Sequence, residues 1–188
     1  TPVREVFRRL AGEGYIDIRE NRGARVIPMN HSTLRNFFLV APMVYAAIGR
    51  LAVQNFKTHQ LADLKETQRR FRAATISRDA LMMVVENNRF HAIMGEMSGN
   101  QYLEPSLERL LIDHARIGHT FFRPRDEDME QRLELSAEHH DAFIEAIENR
   151  DESAVVHLVF EPWARSRENM EMFIAPHGMK ADLPLSFK

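Results

Sequence analysis

The sequence predicts a mainly α-helical fold, an antiparallel helical bundle preceded by one helix and a two-stranded β-hairpin. Three observations predict it. Apolar residues recur at three-to-four spacing from about residue 30 to residue 174, the period of helices with one buried face. Period-two alternation is confined to residues 15–28. Polar breaks at Thr58, Ser77, Gly99-Asn100, Pro124 and Arg150-Asp151 divide the helical stretch into segments, each break being of a residue type that caps or ends helices. The 188 residues, 44% hydrophobic and 28% charged, suffice for a sizeable core and are too apolar for a disordered chain.

In chain order, Thr1-Pro2 ahead of VREVFRRLAGEGYI opens the first helix, with a hydroxyl in the capping position and proline as first helical residue. Val3, Phe7 and Leu10 form an apolar stripe, Arg4, Glu5 and Arg8 point elsewhere, and Gly12 and Gly14 end the helix. Tyr15 to Arg19 alternates apolar and polar, Glu20-Asn21-Arg22-Gly23 turns, and Ala24 to Pro28 runs back. That pattern is a hairpin with a glycine at its tip. A helix and hairpin of this size fall below the roughly 40 residues at which a core suffices, so residues 1–29 are expected to be part of a larger domain.

From Asn30 no strand pattern remains. Ser32 is placed to cap a helix running to about Asn55, with Pro42 inside it as a kink or break. Segments near 58–75, 77–98, 100–122, 126–149 and 151–174 bring the number of amphipathic helices to six. Short connections between them imply an antiparallel bundle over residues 30–175. Residues 176–188, with two prolines and a glycine, read as an irregular tail.

The 25 basic and 27 acidic side chains give a net charge of −2, and that sum hides a division. Six arginines against four acids leave the first thirty residues at +2 and the remainder at −4, which fits a polyanion-binding head on an acidic body. The absence of cysteine excludes disulfide scaffolds, thiolate zinc sites and cysteine nucleophiles. No apolar stretch is expected to reach the roughly 20 residues that cross a bilayer, and no basic-then-apolar leader opens the sequence, so the reading is a cytoplasmic protein with no membrane partner. No Gly-rich phosphate loop, nucleophile elbow or His-Glu-x-x-His motif occurs.

A helix that begins Thr-Pro-Val-Arg-Glu and leads into an arginine-bearing, glycine-tipped hairpin suits DNA. A recognition helix places its N-terminal residues nearest the bases, where an arginine can grip guanine, while its N-terminus suits a phosphate. The glycine lets the hairpin approach the minor groove with arginine alongside. The stretch TPVREVFRRLAGEGYIDIRENRGARV resembles the second half of the winged helix-turn-helix of GntR-family bacterial transcription regulators, whose preceding helices and first short strand would lie ahead of Thr1. The resemblance implies that Thr1 contacts phosphate, Arg4 a base edge, Arg8 and Arg9 the backbone, and Arg22-Gly23 the minor groove, with Arg25 beside them.

In the body, Asn87 and His91 are four apart on one helix face. His140 falls on the stripe of Phe143, Ile144 and Ile147, so it should point inward, with His139 nearer the boundary. An inward histidine pair from different helices can form a metal or ligand site, and for any lone histidine a satisfied core residue is the commoner outcome. Phe90-His91, Ser98-Gly99-Asn100, His139-His140 and Arg150-Asp151 resemble the hallmarks of the FadR-type (FCD) ligand-binding domain, an all-helical sensor that dimerises. That resemblance implies a divalent metal, zinc or nickel, held by an aspartate, a histidine one turn later and two further histidines. Here Asn87 stands in the aspartate position, His91 and His140 match the next two, and Pro162 falls in the last. Glu161 is a replacement ligand if the register shifts, and His157 a poorer one by angle.

The arginine and glutamate that carboxylate-binding members carry early in the domain's first helix are missing from Leu39 to Tyr45. The effector is therefore expected to be an organic acid or a more apolar metabolite. Tyr45, Met43, Trp163 and Phe121 are available for packing, Arg116 as the anionic anchor, and Asp113, His114 and His119 as partly exposed neighbours. The function expected is a ligand-responsive, homodimeric regulator on a palindromic operator, and not an enzyme. The alternative is a metal-dependent enzyme using His91 and His140. Di-metal carboxylate bundles need Glu-x-x-His on paired helices, and Glu86 before His91 has the wrong spacing.

Overall fold

The computed structural model describes residues 2–19, 23–122 and 127–161, apart from the side chains of residues 120, 121, 127–130 and 132. Thr1, the Glu20-Asn21-Arg22 turn, Pro124, Pro162, Trp163 and the 176–188 tail lie outside the described residues, as does the side chain of Phe121. The fold is mainly helical with one small antiparallel sheet, as expected, and it divides into two units, Thr1–Arg35 and Asn36–Lys188.

In the first unit, α1 (Pro2–Gly12) ends where Gly14 adopts φ 77°. That left-handed residue lets Tyr15 N donate to Leu10 O and Gly14 N to Ala11 O, satisfying carbonyls that the helix end would otherwise orphan. Strands β1 (Ile16–Arg19) and β2 (Gly23–Val26) pair antiparallel with Ile16 opposite Val26 and Asp17 opposite Arg25. Among the described residues of this unit only Ile16 is buried. The apolar stripe of α1 exists but is not covered: Val3, Val6 and Phe7 remain 59%, 54% and 40% exposed.

The second unit is built from helices. Helix α2 (His31–Asn55) is followed by α3 (Thr58–Ser77), α4 (Ala80–Ser98), α5 (Leu103–Phe121) and α6 (Glu127–Glu148), and residues 152–161 form the described part of α7. Helix α3 packs against α4 and α6, and α4 against α5. The main core gathers Phe37, Tyr45, Ile48, Leu64, Phe90, Met97, Leu107, Phe143, Ile147 and Val155. A smaller cluster holds Phe71, Ala74, Met83, Phe122, Leu133 and Ala137. A Cβ on Gly49 would run into Cγ1 of Val155, so bare backbone there lets α2 and α7 close on each other.

Several local expectations are corrected. Pro42 does not break α2, because Phe37 and Ala41 before it and Tyr45, Ala46 and Ile48 after it are all buried, and tertiary packing holds the helix across the lost hydrogen bond. Asn30, not Ser32, caps α2, its Oδ1 accepting from Thr33 N at 2.9 Å. The break expected at Ser77 falls two residues on. There Arg78 turns left-handed at φ 56° and Asp79 caps α4 through Met82 N at 3.0 Å, an interaction worth about 1 kcal/mol. Helix α2 is also, by length and composition, apolar enough to cross a membrane, with mean hydropathy 1.6, contrary to expectation. Nine of its residues are buried, the pattern of a core helix.

Candidate functional site

One wall of the helical body's interior is polar because polar residues occupy positions in apolar stripes. On α3 the stripe reads Leu64, Gln68, Phe71; on α5, Leu107, Leu111, His114, Gly118; on α6, His140, Phe143, Ile144, Ile147. Spacings of three and four stack these side chains on one helix face, so packing the leucines and phenylalanines carries the polar groups inward. Helix α4 contributes Asn87 and His91 one turn apart, both buried.

The three helices bring His91, His114 and His140 together. The ring centres of His91 and His114 are 5.0 Å apart, and those of His91 and His140 are 5.7 Å apart. Tyr45, from α2, lies 5.0 Å from His91 and 5.7 Å from His114. Phe90 stacks flat on His140 at 4.0 Å, and Phe71 meets the same ring at 4.8 Å. His139 is turned to the boundary, its Nε2 lying 2.7 Å from Leu158 O.

Hydrogen bonds fix which ring atoms face the interior. Gln68 Nε2 donates to Ala137 O at 2.7 Å and Asp141 Oδ1 at 2.9 Å, which sets its amide so that Oε1 lies 3.0 Å from His140 Nδ1. An oxygen there can only accept, so His140 carries its proton on Nδ1 and leaves Nε2 bare. His114 Nδ1 is held at 2.8 Å by the Tyr45 hydroxyl. Two carboxylates nearby serve elsewhere: Asp141 pairs with Arg72, and Glu86 Oε1 receives Arg70 Nε at 3.0 Å. Among the described residues, three buried atoms have no hydrogen-bond partner: Glu86 Oε2, Asn88 Oδ1 and His91 Nδ1.

Burial governs the charge state. Loss of solvation pushes His114 down to about 4 and His140 down to about 3, with the charges of His139, His114 and Arg72 adding to the latter. His91 is held well below its ordinary value by burial first and then by His114, His140 and His139. Burial also raises the Tyr45 hydroxyl far above the usual phenol range. At neutral pH the wall is thus three uncharged imidazoles and an intact phenol.

The other expected residues fall as follows. Arg116 Nη1 lies 3.2 Å from Asp113 Oδ1, and Arg109 approaches the same carboxylate at 3.4 Å. Asp113 is therefore buried rather than partly exposed, and Arg116 is engaged in its neutralisation. Met43 points outward at 61% exposure. Arg4 and Arg8 are exposed along α1, Arg9 bonds Glu13 at 2.8 Å, Arg25 is exposed on β2, and Gly23 has φ 76°. Thr1, Arg22 and Trp163 lie outside the described residues. A surface hollow of about 540 Å³ lined by Arg50, Glu152, Ser153, Val156, His157 and Phe160 contains none of the expected effector residues.

Sequence reasoning took His114 as a partly exposed neighbour, which its half-buried position bears out, but did not place it against His91, and it passed over Gln68. Each had a readable signal, a polar residue exactly in phase with an apolar stripe. The metal set that the resemblance implies does not fit these residues: Asn87 offers a neutral amide in place of a carboxylate, and Pro162 has no donor. Among the described residues no three His, Asp or Glu side chains are already gathered to hold a metal ion.

Comparison with known proteins follows the geometry. The family model described as the FCD domain matches residues 43–162. The HTH-type transcriptional repressor RspR of Escherichia coli K12 is 27% identical over 155 residues, covering 82% of this chain and 65% of that protein. The chain thus spans about two thirds of the length of the curated relatives it matches. E. coli McbR/YncC has a similar structure, with TM-score 0.78 at 17% identity, over 92% of this chain and 80% of that one. Streptococcus agalactiae GntR gives 0.59 at 18%, over 89% and 80%. At those identities the structures speak for the fold alone.

Proposed function

Because the chain belongs to the FCD-domain family, we propose that its helical body is the sensing half of a GntR-type transcription regulator whose DNA-reading head includes α1 and the hairpin. The observation that carries this reading is the family match over residues 43–162 beside a helix and hairpin that present Arg4, Arg8 and Arg25 to solvent. Two such heads in a homodimer would read a palindromic operator in successive major grooves. An effector held at the Tyr45, Asn87, His91 and His140 wall would shift their spacing by favouring one arrangement of the body. Since the described residues of the wall are uncharged imidazoles, an amide and a phenol, a small polar or apolar metabolite suits it directly. The relatives are transcription regulators rather than enzymes, and the enzyme alternative is set aside.

Fluorescence anisotropy on the full-length protein, with duplexes from upstream of its own gene, tests the reading. Specific binding should weaken steeply with salt. Arg4→Ala should weaken it by about 1–3 kcal/mol while the body stays folded. No salt-sensitive binding to any duplex would defeat the proposal, and operator affinity unchanged in the variant would remove the role given to Arg4.

A further inference from the structure

We propose that Gln68 determines the specificity of the effector wall: it fixes His140 as a hydrogen-bond acceptor, so that the wall takes neutral ligands bearing an N–H or O–H group and turns away their carboxylate analogues. The inference rests on the reading of that wall as the effector site.

The contacts that carry it run from the surface inward. Arg72 Nε donates to Asp141 Oδ2 at 3.0 Å, which leaves Asp141 Oδ1 to accept from Gln68 Nε2 at 2.9 Å. The same amide nitrogen donates to Ala137 O at 2.7 Å. A carboxylate and a carbonyl can both be served only by an NH₂ group, so the Gln68 amide has one orientation. Its oxygen, 3.0 Å from His140 Nδ1, then holds the ring proton on that nitrogen. Burial keeps the ring uncharged, so Nε2 carries a lone pair, and among the described residues none donates to it. Phe90, flat against the ring at 4.0 Å, and Phe71 at 4.8 Å hold it in that plane. Gln68 is thus a positioning residue that acts on a ligand through His140.

An acceptor inside a protein calls for a donor. His91 adds a second unmet need, being 8% exposed with an Nδ1 that no described residue reaches. Its neutral ring has one donor and one acceptor, and Asn87, buried one turn before it, has an amide with both. Those two can meet the ligand's own oxygen while its N–H or O–H meets His140. A carboxylate brings only lone pairs to His140 Nε2, and its charge would be stripped of water among uncharged groups.

The test uses the ¹⁵N-labelled 188-residue protein and two probes of one shape, propionamide and propionate. Long-range ¹H–¹⁵N spectra read the histidine tautomers and follow each titration. The wild type should show His140 protonated on Nδ1 and bare on Nε2. Propionamide should move the Nε2 resonance and bind about tenfold or more tightly than propionate, the worth of one buried hydrogen bond. Gln68→Met keeps the side chain's length, releases the tautomer and should bring the two probes near parity. A wild-type His140 protonated on Nε2, propionate bound as well as propionamide, or the full preference kept by a folded Gln68→Met overturns the inference and leaves the wall standing as a binding site. Should that variant fail to fold, the wild-type tautomer and probe preference decide. No response of His140 or His91 to either probe removes the wall itself as the effector site, and this inference with it.

Discussion

The two units of this chain spend similar apolar residues very differently. In the first, Val3, Val6 and Phe7 line up on α1 yet stay exposed, and Ile16 is the one buried residue described. In the second, residues at the same spacing interlock: Phe90, Leu64, Met97 and Ile147 are sealed from solvent. Amphipathic spacing makes a helix face able to be buried, but a second element of matching shape is what buries it. The first unit has the face and, among its described residues, no covering element. In the body every helix covers another.

The sharpest way to break that comparison is a pair of truncations. Phe90→Ala removes a fully buried ring from the core and should cost about 3–5 kcal/mol in urea unfolding. Phe7→Ala, at a 40% exposed position, should cost about 1 kcal/mol or less. Equal losses would show that the α1 stripe is packed after all.

Next in size is an acid effect belonging to the body. In the folded body His140 and His114 are held near 3 and 4, against 6.5 otherwise. Between those values the unfolded chain binds more protons, so stability is full above about pH 6.5 and falls as the pH drops toward 4 and then 3. The slope is at most about 1.4 kcal/mol per pH unit for each ring. A pH series of urea midpoints that stayed flat from 6.5 to 4 would show that the rings are not kept neutral inside.

Gln68→Ala sharpens the picture further. It strips partners from His140 Nδ1 and Ala137 O and should destabilise the body by about 1–3 kcal/mol, measured by the same unfolding assay. A cost near zero would mean that water replaces the amide and that the wall is wet. Smallest of all, Arg4→Ala on the open face of α1 should shift unfolding by no more than about 0.5 kcal/mol, so its effect on DNA would be one of contact and not of folding.

How much of this was legible beforehand depended on whether the signal was local. Helix periods, the hairpin and the inward phase of His140 could be read residue by residue. The exact helix starts could not, because Asn30 and Asp79 compete with nearby Ser32 and Ser77 for the same role, and chain geometry at Arg78 decides one of them. Pro42 looked like a break since its local chemistry is that of a breaker, and only the buried residues on both sides of it outweigh that. Of the polar wall, Asn87, His91 and His140 were visible through spacing. His114 and Gln68 were not singled out, since their partners lie 69 and 72 residues away in sequence.

The sequence by itself determined the element types, the charge division between the first thirty residues and the rest, and the family to which the chain belongs, because each is written in composition, period or short motif. Tertiary structure decided which polar side chains meet, which histidine nitrogen each partner holds, and that Arg116 is engaged with Asp113 instead of lining the wall. Those outcomes depend on how helices far apart in sequence cross, and close packing permits only one arrangement of rings where they do.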